Sequence, residues 1–204
     1  MGIIAADLFL TLDGVYQAPG GRDEDREGDF AFGGWQAPFT DKEIGASIMA
    51  SIQRTDALLL GRRTYDIFAS FWPFQPTEDP VAARFAAIPK YVVSRTLRDP
   101  SWAGTTVLQE AAAVGRLRDE FDEVHTWGSG ELLRSLLAEG LVDRLNVWMY
   151  PVALGTGKRL FETGSVPMAF RPAEPGHVSE SGIMVLVLEP AGAVETGEVG
   201  ATQA

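Results

Sequence analysis

The stretch that decides the fold is residues 56–65, which read Asp56-Ala57-Leu58-Leu59-Leu60-Gly61-Arg62-Arg63-Thr64-Tyr65. Its short, continuous apolar run between chain-breaking residues is typical of a strand buried on both faces of a parallel sheet. The residues from 62 to 71 then predict a short helix, which Trp72-Pro73 closes. A strand that passes through a glycine into a helix presents free backbone N–H groups and a positive dipole end. The stretch therefore predicts an α/β fold with an edge suited to anions.

Outward from this stretch, strands and helices alternate up to about Gly140, and after that strand follows strand. Apolar runs predict strands at 3–12, 89–94, 105–108, 124–127, 145–150, 170–175 and 183–188. Helices are predicted at 81–87 and 110–121. Another helix is predicted to begin at Thr40, an N-cap that forms a capping box with Glu43. A further helix carries the leucine stripe 132–137 and ends before Gly140. This order predicts a three-layer α/β domain with a mixed, mostly parallel central sheet, flanking helices and an antiparallel C-terminal edge. The domain is expected to span residues 1–189, and the small, polar residues 190–204 are predicted to be a disordered tail.

Composition excludes several classes of function. The chain has 204 residues, a net charge of −11, no cysteine, and only His125 and His177 as histidines. Disulfides, thiol catalysis and zinc or histidine-rich metal sites are therefore not expected. The acidic balance argues against a nucleic-acid partner, but a local arginine cluster would still admit a small polyanionic cofactor.

The compartment is predicted to be the cytoplasm. The first residues lack the basic region of a signal peptide, and Asp7 interrupts the apolar segment. No apolar run approaches the length of a membrane-spanning helix, so no membrane partner is expected.

Three strand ends carry residue types suited to phosphate, and in an open α/β sheet ligands lie at the carboxyl ends of the strands. The first is Gly61-Arg62-Arg63-Thr64, for which a surface arginine pair is the equally weighted alternative. The second is Ser94-Arg95, where a solvated strand end is the alternative. The third is Gly128-Ser129-Gly130-Glu131-Leu132, a strand–turn–helix that lacks the third glycine of the dinucleotide fingerprint, so a tight turn is its alternative.

Other segments carry weaker signals. His125 lies within a strand and is interpreted as a structural histidine. The segment Gly155-Thr156-Gly157-Lys158-Arg159 resembles the end of a phosphate-binding loop but lacks the upstream glycine, which favours a turn. The Gly-rich, charged residues 18–34 form a long exposed loop, either a solvated loop or a mobile lid.

Together these segments resemble the dihydrofolate reductase-like superfamily, and within it the reductase domain of the riboflavin-biosynthesis deaminase-reductases. The resemblance is carried by motifs that occur in the family's order over residues 3–189. They are Thr11-Leu12-Asp13-Gly14, Leu59 to Tyr65, Lys90 to Arg95, Gly128 to Leu132, and Leu141 to Leu145 continuing to Phe161.

The resemblance implies an NADPH-dependent reductase that transfers a hydride to a small, pterin- or pyrimidine-like heterocycle. By position it implies a cofactor site built from three groups of residues. The diphosphate and 2′-phosphate would be held by Gly61, Arg62, Arg63 and Thr64, and the adenosine side by Ser94 and Arg95. The other face of the diphosphate would be held by Gly128, Ser129, Gly130, Glu131 and Leu132. Ala5, Ala6 and Val15 would flank the nicotinamide.

The substrate side of the resemblance is less complete. The helix carboxylate of dihydrofolate reductases falls on Gly45 by the family's spacing, which argues against folate reduction. Asp13 and water are the candidate proton sources, with turn formation as the alternative role of Asp13. The alternative function is a non-catalytic NADP(H)-binding or regulatory protein that retains the cofactor cleft.

The last strands predict a homodimer. Val147, Met149, Met184, Leu186 and Leu188 share one face, and the opposite face is also apolar. Apolar residues on both faces need cover, and a symmetric partner or the earlier helices would supply it.

Overall fold

A computed structural model describes residues 1–39 and 41–199 of the chain. The strands are β1 (Ile3–Thr11), β2 (Ala57–Gly61), β3 (Lys90–Val93), β4 (Thr105–Leu108), β5 (Glu123–Trp127), β6 (Arg144–Tyr150), β7 (Ala169–Pro172), β8 (His177–Val178) and β9 (Met184–Gly192). The α-helices are α1 (Lys42–Arg54), α2 (Arg62–Phe71), α3 (Pro80–Ala87) and α4 (Gly130–Ala138). Most predicted elements therefore lie within a few residues of their expected positions.

Within the described residues, the strands form one sheet in the order β4-β3-β2-β5-β1-β6-β9-β7, with β8 paired to β9. Every pairing from β4 to β6 is parallel. The pairings of β9 with β6, β7 and β8 are antiparallel. The predicted mixed sheet with an antiparallel C-terminal edge is confirmed.

The sheet has a hydrophobic core on each face, and alternation along β1 assigns its residues to them. Ile4, Ala6, Leu8 and Leu10 pack with the leucines of α4, whereas Phe9 points to the opposite face. That opposite core also receives the apolar sides of α1, α2 and α3. Because strand side chains alternate in direction, neighbouring residues of β1 serve different layers.

Residues 111–119 form a 3-10 helix instead of the predicted α-helix. Gly115 lies in its middle, and glycine has a low intrinsic preference for the α-helix. Val114 and Leu117, three residues apart, are both buried against the sheet. The 3-10 helix has three residues per turn, so this spacing points both side chains toward the core.

The predicted start of α1 lies outside the described residues, and the predicted end of the last strand needs correction. The predicted N-cap Thr40 is not among the described residues; the Asp41 carboxylate caps α1 by accepting from the N–H groups of Glu43 and Ile44. Residues 190–192, which were predicted to belong to the tail, are the end of β9, where Pro190 and Gly192 pair with β7. The leucine stripe of α4 is buried as predicted, and Gly140 follows the helix with a φ of 66°.

His125 is a structural histidine, as predicted. Its side chain is fully buried, with Nδ1 at 2.6 Å from Asp7 Oδ2 and Nε2 at 2.8 Å from Glu123 Oε2. Asp7 also accepts hydrogen bonds from Ser51 Oγ at 2.5 Å and Asn146 Nδ2 at 3.0 Å. This polar network ties β1, β5 and β6 to α1.

None of the helices in the described part of the chain has both the length and the apolar character that crossing a membrane requires.

Candidate functional site

A cavity of about 860 Å³ lies at the carboxyl ends of the parallel strands β1, β2, β3 and β5. This volume is within the range of ~300–1,000 Å³ typical of ligand sites. The residues predicted to hold a cofactor that line it are Gly61, Arg62, Arg63, Thr64, Ser94, Arg95, Gly128, Ser129, Gly130, Glu131 and Leu132. The fold therefore brings three separate strand ends to one cavity.

The N-terminus of α2 opens into this cavity. Its N-cap residue Gly61 has no side chain, so the first N–H groups receive no side-chain cap. Arg62 donates through Nε to both carboxylate oxygens of Asp66, at 2.9 and 3.0 Å. Arg63 reaches the other way, with one guanidinium nitrogen 2.6 Å from Asp25 Oδ1. An uncapped helix start beside two arginines suits an anion.

The N-terminus of α4 faces the same cavity. Gly128 and Ser129 both have left-handed backbones, with φ of 62° and 50°, directly before the helix. A positive φ is strained for serine. Ser129 Oγ does not cap α4; it accepts a hydrogen bond from Gly61 N at 3.1 Å. This bond joins the two helix starts and leaves the α4 N–H groups without a side-chain cap.

Gly130 lines the cavity and also makes room for a neighbouring aromatic ring. A Cβ at this position would lie 2.3 Å from the Tyr16 ring carbons Cε1 and Cζ. The ring of Tyr16 therefore fills the space beside the Gly130 Cα. Glycine is required here for packing by Tyr16, which itself lines the cavity.

Ser94 and Arg95 directly follow β3 at the cavity wall. Ser94 Oγ accepts from the N–H groups of Thr96 and Leu97, at 3.3 and 3.1 Å, and so orders the turn. Arg95 is exposed and has no acidic partner among the described residues. Its guanidinium is the one of the three cavity arginines that no carboxylate neutralises in the described part of the chain.

The predicted nicotinamide residues do not lie on the cavity. Ala5, Ala6 and Val15 are each 0% exposed, and Ala6 belongs to the core on the α4 side of the sheet. A fully buried side chain cannot touch a ligand. The residues of this region that line the cavity are Phe9 and Tyr16.

Asp13 is a structural residue rather than a proton source. Its carboxylate accepts from Thr11 Oγ1 at 2.6 Å, Gly155 N at 2.8 Å and an Arg159 guanidinium nitrogen at 3.0 Å. Burial alone raises its pKa, but these hydrogen bonds outweigh burial and hold the pKa well below its ordinary value. Asp13 is also absent from the lining of the cavity in the described structure. An ionised carboxylate fixed in a turn has no proton to give.

The loop of residues 18–34 is not simply exposed, because parts of it pack onto the cavity. Ala18, Asp25 and Phe30 are buried. Lys158, which the sequence assigned to a turn, lies on the cavity wall and donates through Nζ to Asp25 at 2.7 Å. Sequence reasoning missed this contact because the two residues are 133 positions apart.

The α1 side of the cavity is apolar. Gly45, where the family's helix carboxylate would fall, is exposed, and a Cβ there would meet no atom within 4 Å. Ile48 and Ile52 are the α1 residues that line the cavity. Further aromatic residues complete the apolar wall: Phe9, Phe68, Trp72, Phe85 and Trp127. Trp127 Nε1 is buried without a hydrogen-bond partner in the described structure.

The mixed sheet and a cavity across its strand ends define an α/β protein of dihydrofolate reductase-like architecture. Residues 3–181 match the model of the RibD C-terminal domain. The chain belongs to this family, and membership implies a reductase-like function.

Two relatives extend this comparison. The chain is 26% identical over 166 residues to the uncharacterised protein YyaP of Bacillus subtilis strain 168, covering 78% of this chain and 79% of that protein. It is similar to the crystal structure of a protein from Shewanella sp. PV-4 provisionally named as a riboflavin biosynthesis protein. That match has a TM-score of 0.70 and 18% identity, and it covers 92% of this chain and 98% of the other. At this identity the structural match shows the fold alone.

Proposed function

We propose that this protein is an NADPH-dependent reductase that transfers a hydride to a small heterocyclic substrate, pterin- or pyrimidine-like. The observation that carries the proposal is the convergence of two uncapped helix N-termini on one cavity beside Arg62, Arg63 and Arg95. Backbone N–H groups and planar guanidinium groups are the donors that diphosphate and phosphomonoester oxygens prefer.

The donor set fits NADPH. The α2 start with Arg62 and Thr64 would hold phosphate oxygens, and Arg95 would hold the 2′-phosphate, since it has no competing carboxylate among the described residues. The α4 start after Ser129 would donate to the other face of the diphosphate. When bound, NADPH supplies the hydride, and the protein supplies binding and orientation.

The apolar wall supports a planar substrate. Phe9 and Trp127 both line the cavity, with their ring centroids 6.0 Å apart. Such a surface stacks a flat ring and excludes water from it. Gln36, held at 2.6 Å from the Tyr150 hydroxyl, adds an amide to the lining. Because the α1 wall presents Ile48 and Ile52 and no carboxylate, folate reduction is not proposed.

The test is a transfer experiment with NADPH deuterated at the reactive carbon of the nicotinamide. The protein is incubated with pterins, pyrimidines and small carbonyl compounds, and each product is examined by mass spectrometry. The proposal expects deuterium in a heterocyclic product. Tight NADPH binding without transfer to any compound would favour the non-catalytic alternative. No NADPH binding would refute both functions.

A variant separates substrate contact from cofactor contact. Ile48→Gln changes the α1 wall, where no cofactor phosphate is proposed. We expect it to reduce the transfer rate and to leave the NADPH dissociation constant within about twofold. Loss of NADPH binding in this variant would contradict the assignment of the α1 wall to the substrate.

A further inference from the structure

Residues 22–29, here named the acidic strap, line the cavity through Glu24, Asp25 and Glu27. The strap is held at its backbone by Gln17, whose Nε2 donates to the carbonyls of Asp25 and Glu27 at 3.1 and 3.0 Å. Gln17 is itself buried and accepts from Lys158 N at 3.0 Å. The position of the strap therefore does not depend on its charges alone.

The strap places two carboxylates on two cavity cations. Arg63 lies 2.6 Å from Asp25 and 3.4 Å from Glu27. Lys158 Nζ lies 2.7 Å from Asp25 and 2.6 Å from Glu27. The four side chains form a closed cluster whose formal charges cancel.

The charge states of the cluster are consistent with full ionisation. Burial alone raises the pKa of Asp25, but hydrogen bonds from Lys158, Glu27 N and Arg63 hold it below its ordinary value. For Lys158, burial lowers the pKa, and the two carboxylates more than reverse this. Lys158 and then Arg63 also lower the pKa of Glu27, so Asp25 and Glu27 are both negative at neutral pH.

We infer that the acidic strap is a built-in competitor for phosphate: Glu27 and Asp25 occupy Arg63 and Lys158, and an anionic ligand must exchange with them. This inference rests on the proposed function, because it concerns regulation of the same cavity. A carboxylate and a phosphate cannot both occupy one guanidinium edge, so each ion pair that the strap keeps is withheld from the ligand. The strap therefore weakens anion binding and reduces its sensitivity to salt, because salt screens the strap's own ion pairs as well as those of the ligand.

Glu27→Gln is the direct test, because Glu27 is exposed and its backbone stays held by Gln17. The probe is 2′,5′-adenosine bisphosphate, titrated into the full chain by calorimetry at low salt. We expect the variant to bind it about twofold to fivefold more tightly than the wild type, the range that one exposed ion pair supports. The gain should disappear near 1 M salt, where the Debye length is only about 3 Å.

Two controls make the test specific. Asp23→Asn makes the same charge change within the strap, but Asp23 pairs with Arg26 and not with a cavity cation. It should leave the affinity within the error of the titration. Uncharged adenosine should bind wild type and Glu27→Gln alike. Equal gains in both variants, or no gain in Glu27→Gln, would overturn the inference. If the bisphosphate binds neither wild type nor variant, the proposed cofactor site itself fails, and the inference fails with it.

Discussion

Replacing Gly130 with alanine tests whether Tyr16 packs directly against the start of α4. A Cβ at Gly130 would lie 2.3 Å from two ring carbons of Tyr16 and 2.7 Å from its hydroxyl oxygen. Non-bonded carbons normally lie about 3.5–4.0 Å apart, so the ring must move by more than about 1 Å. Overpacking of this kind costs about 1–3 kcal/mol, against a gain of up to about 1 kcal/mol when alanine replaces a helical glycine. We therefore expect a net loss of about 1–2 kcal/mol in the free energy of unfolding.

The assay is urea unfolding followed by tryptophan fluorescence, with a double-mutant cycle. In a Tyr16→Ala background the clash is absent, so Gly130→Ala should be neutral or stabilising. Gly45→Ala is the matched control, because Gly45 is an exposed helical glycine with no atom within 4 Å of its Cβ position. It should raise the free energy of unfolding by up to about 1 kcal/mol. Equal effects of Gly130→Ala in both backgrounds would refute the packing argument.

Three further predictions concern stability and assembly. Burial lowers the pKa of His125, but the hydrogen bond and charge of Asp7, followed by those of Glu123, raise it above its ordinary value. The pair of charged His125 and Asp7 therefore contributes its full stabilisation below the unfolded histidine pKa of about 6.5. This contribution is lost as the pH rises through the higher folded pKa. His125→Asn should flatten this part of the stability–pH curve measured by urea titrations. Removal of residues 193–204 should leave the melting temperature nearly unchanged, whereas removal of 190–204 should lower it because it cuts into β9. Sedimentation at micromolar concentration should show a homodimer, because the face of β9 that carries Met184 and Leu188 is only partly buried within the chain; a clean monomer mass would argue against it.

The order of the elements was predictable because it depends on local patterns. The run 57–61 is apolar at every position before its glycine, which suits a strand covered on both faces, and all of it up to Gly61 is buried. The leucines of α4 and the final Gly140 follow helical spacing and C-terminal capping in the same way. Such signals are contained in neighbouring residues, so they survive without knowledge of the tertiary structure.

The positions of individual side chains were less predictable. Ala6 and Phe9 are on the same strand, and an odd shift along a strand moves a residue to the opposite face of the sheet. The sequence prediction placed the buried Ala6 at the cavity, whereas Phe9 lines it. On α1, counting by the family's spacing reached the exposed Gly45 rather than the cavity-facing Ile48.

The charges around the cavity were the least predictable feature. The contact between Lys158 and Asp25 joins two loops that no local pattern connects. The ion pair of Asp13 was equally unpredictable, because its partner Arg159 lies 146 residues away. Only the fold determines whether such a carboxylate is available for chemistry or held in an ion pair.

The central claim is that the cavity binds NADPH through its arginines, and the most direct measurement is titration calorimetry with NADPH and NADH at low salt. Wild type should bind NADPH more tightly than NADH, and the margin should shrink as salt is added. Arg95→Ala should lower NADPH affinity by about tenfold, the value of one charge-assisted contact, and leave NADH affinity unchanged. Arg171→Ala, at the edge strand where Arg171 pairs with Glu189, should change neither. Equal affinities for NADPH and NADH in the wild type would contradict the account.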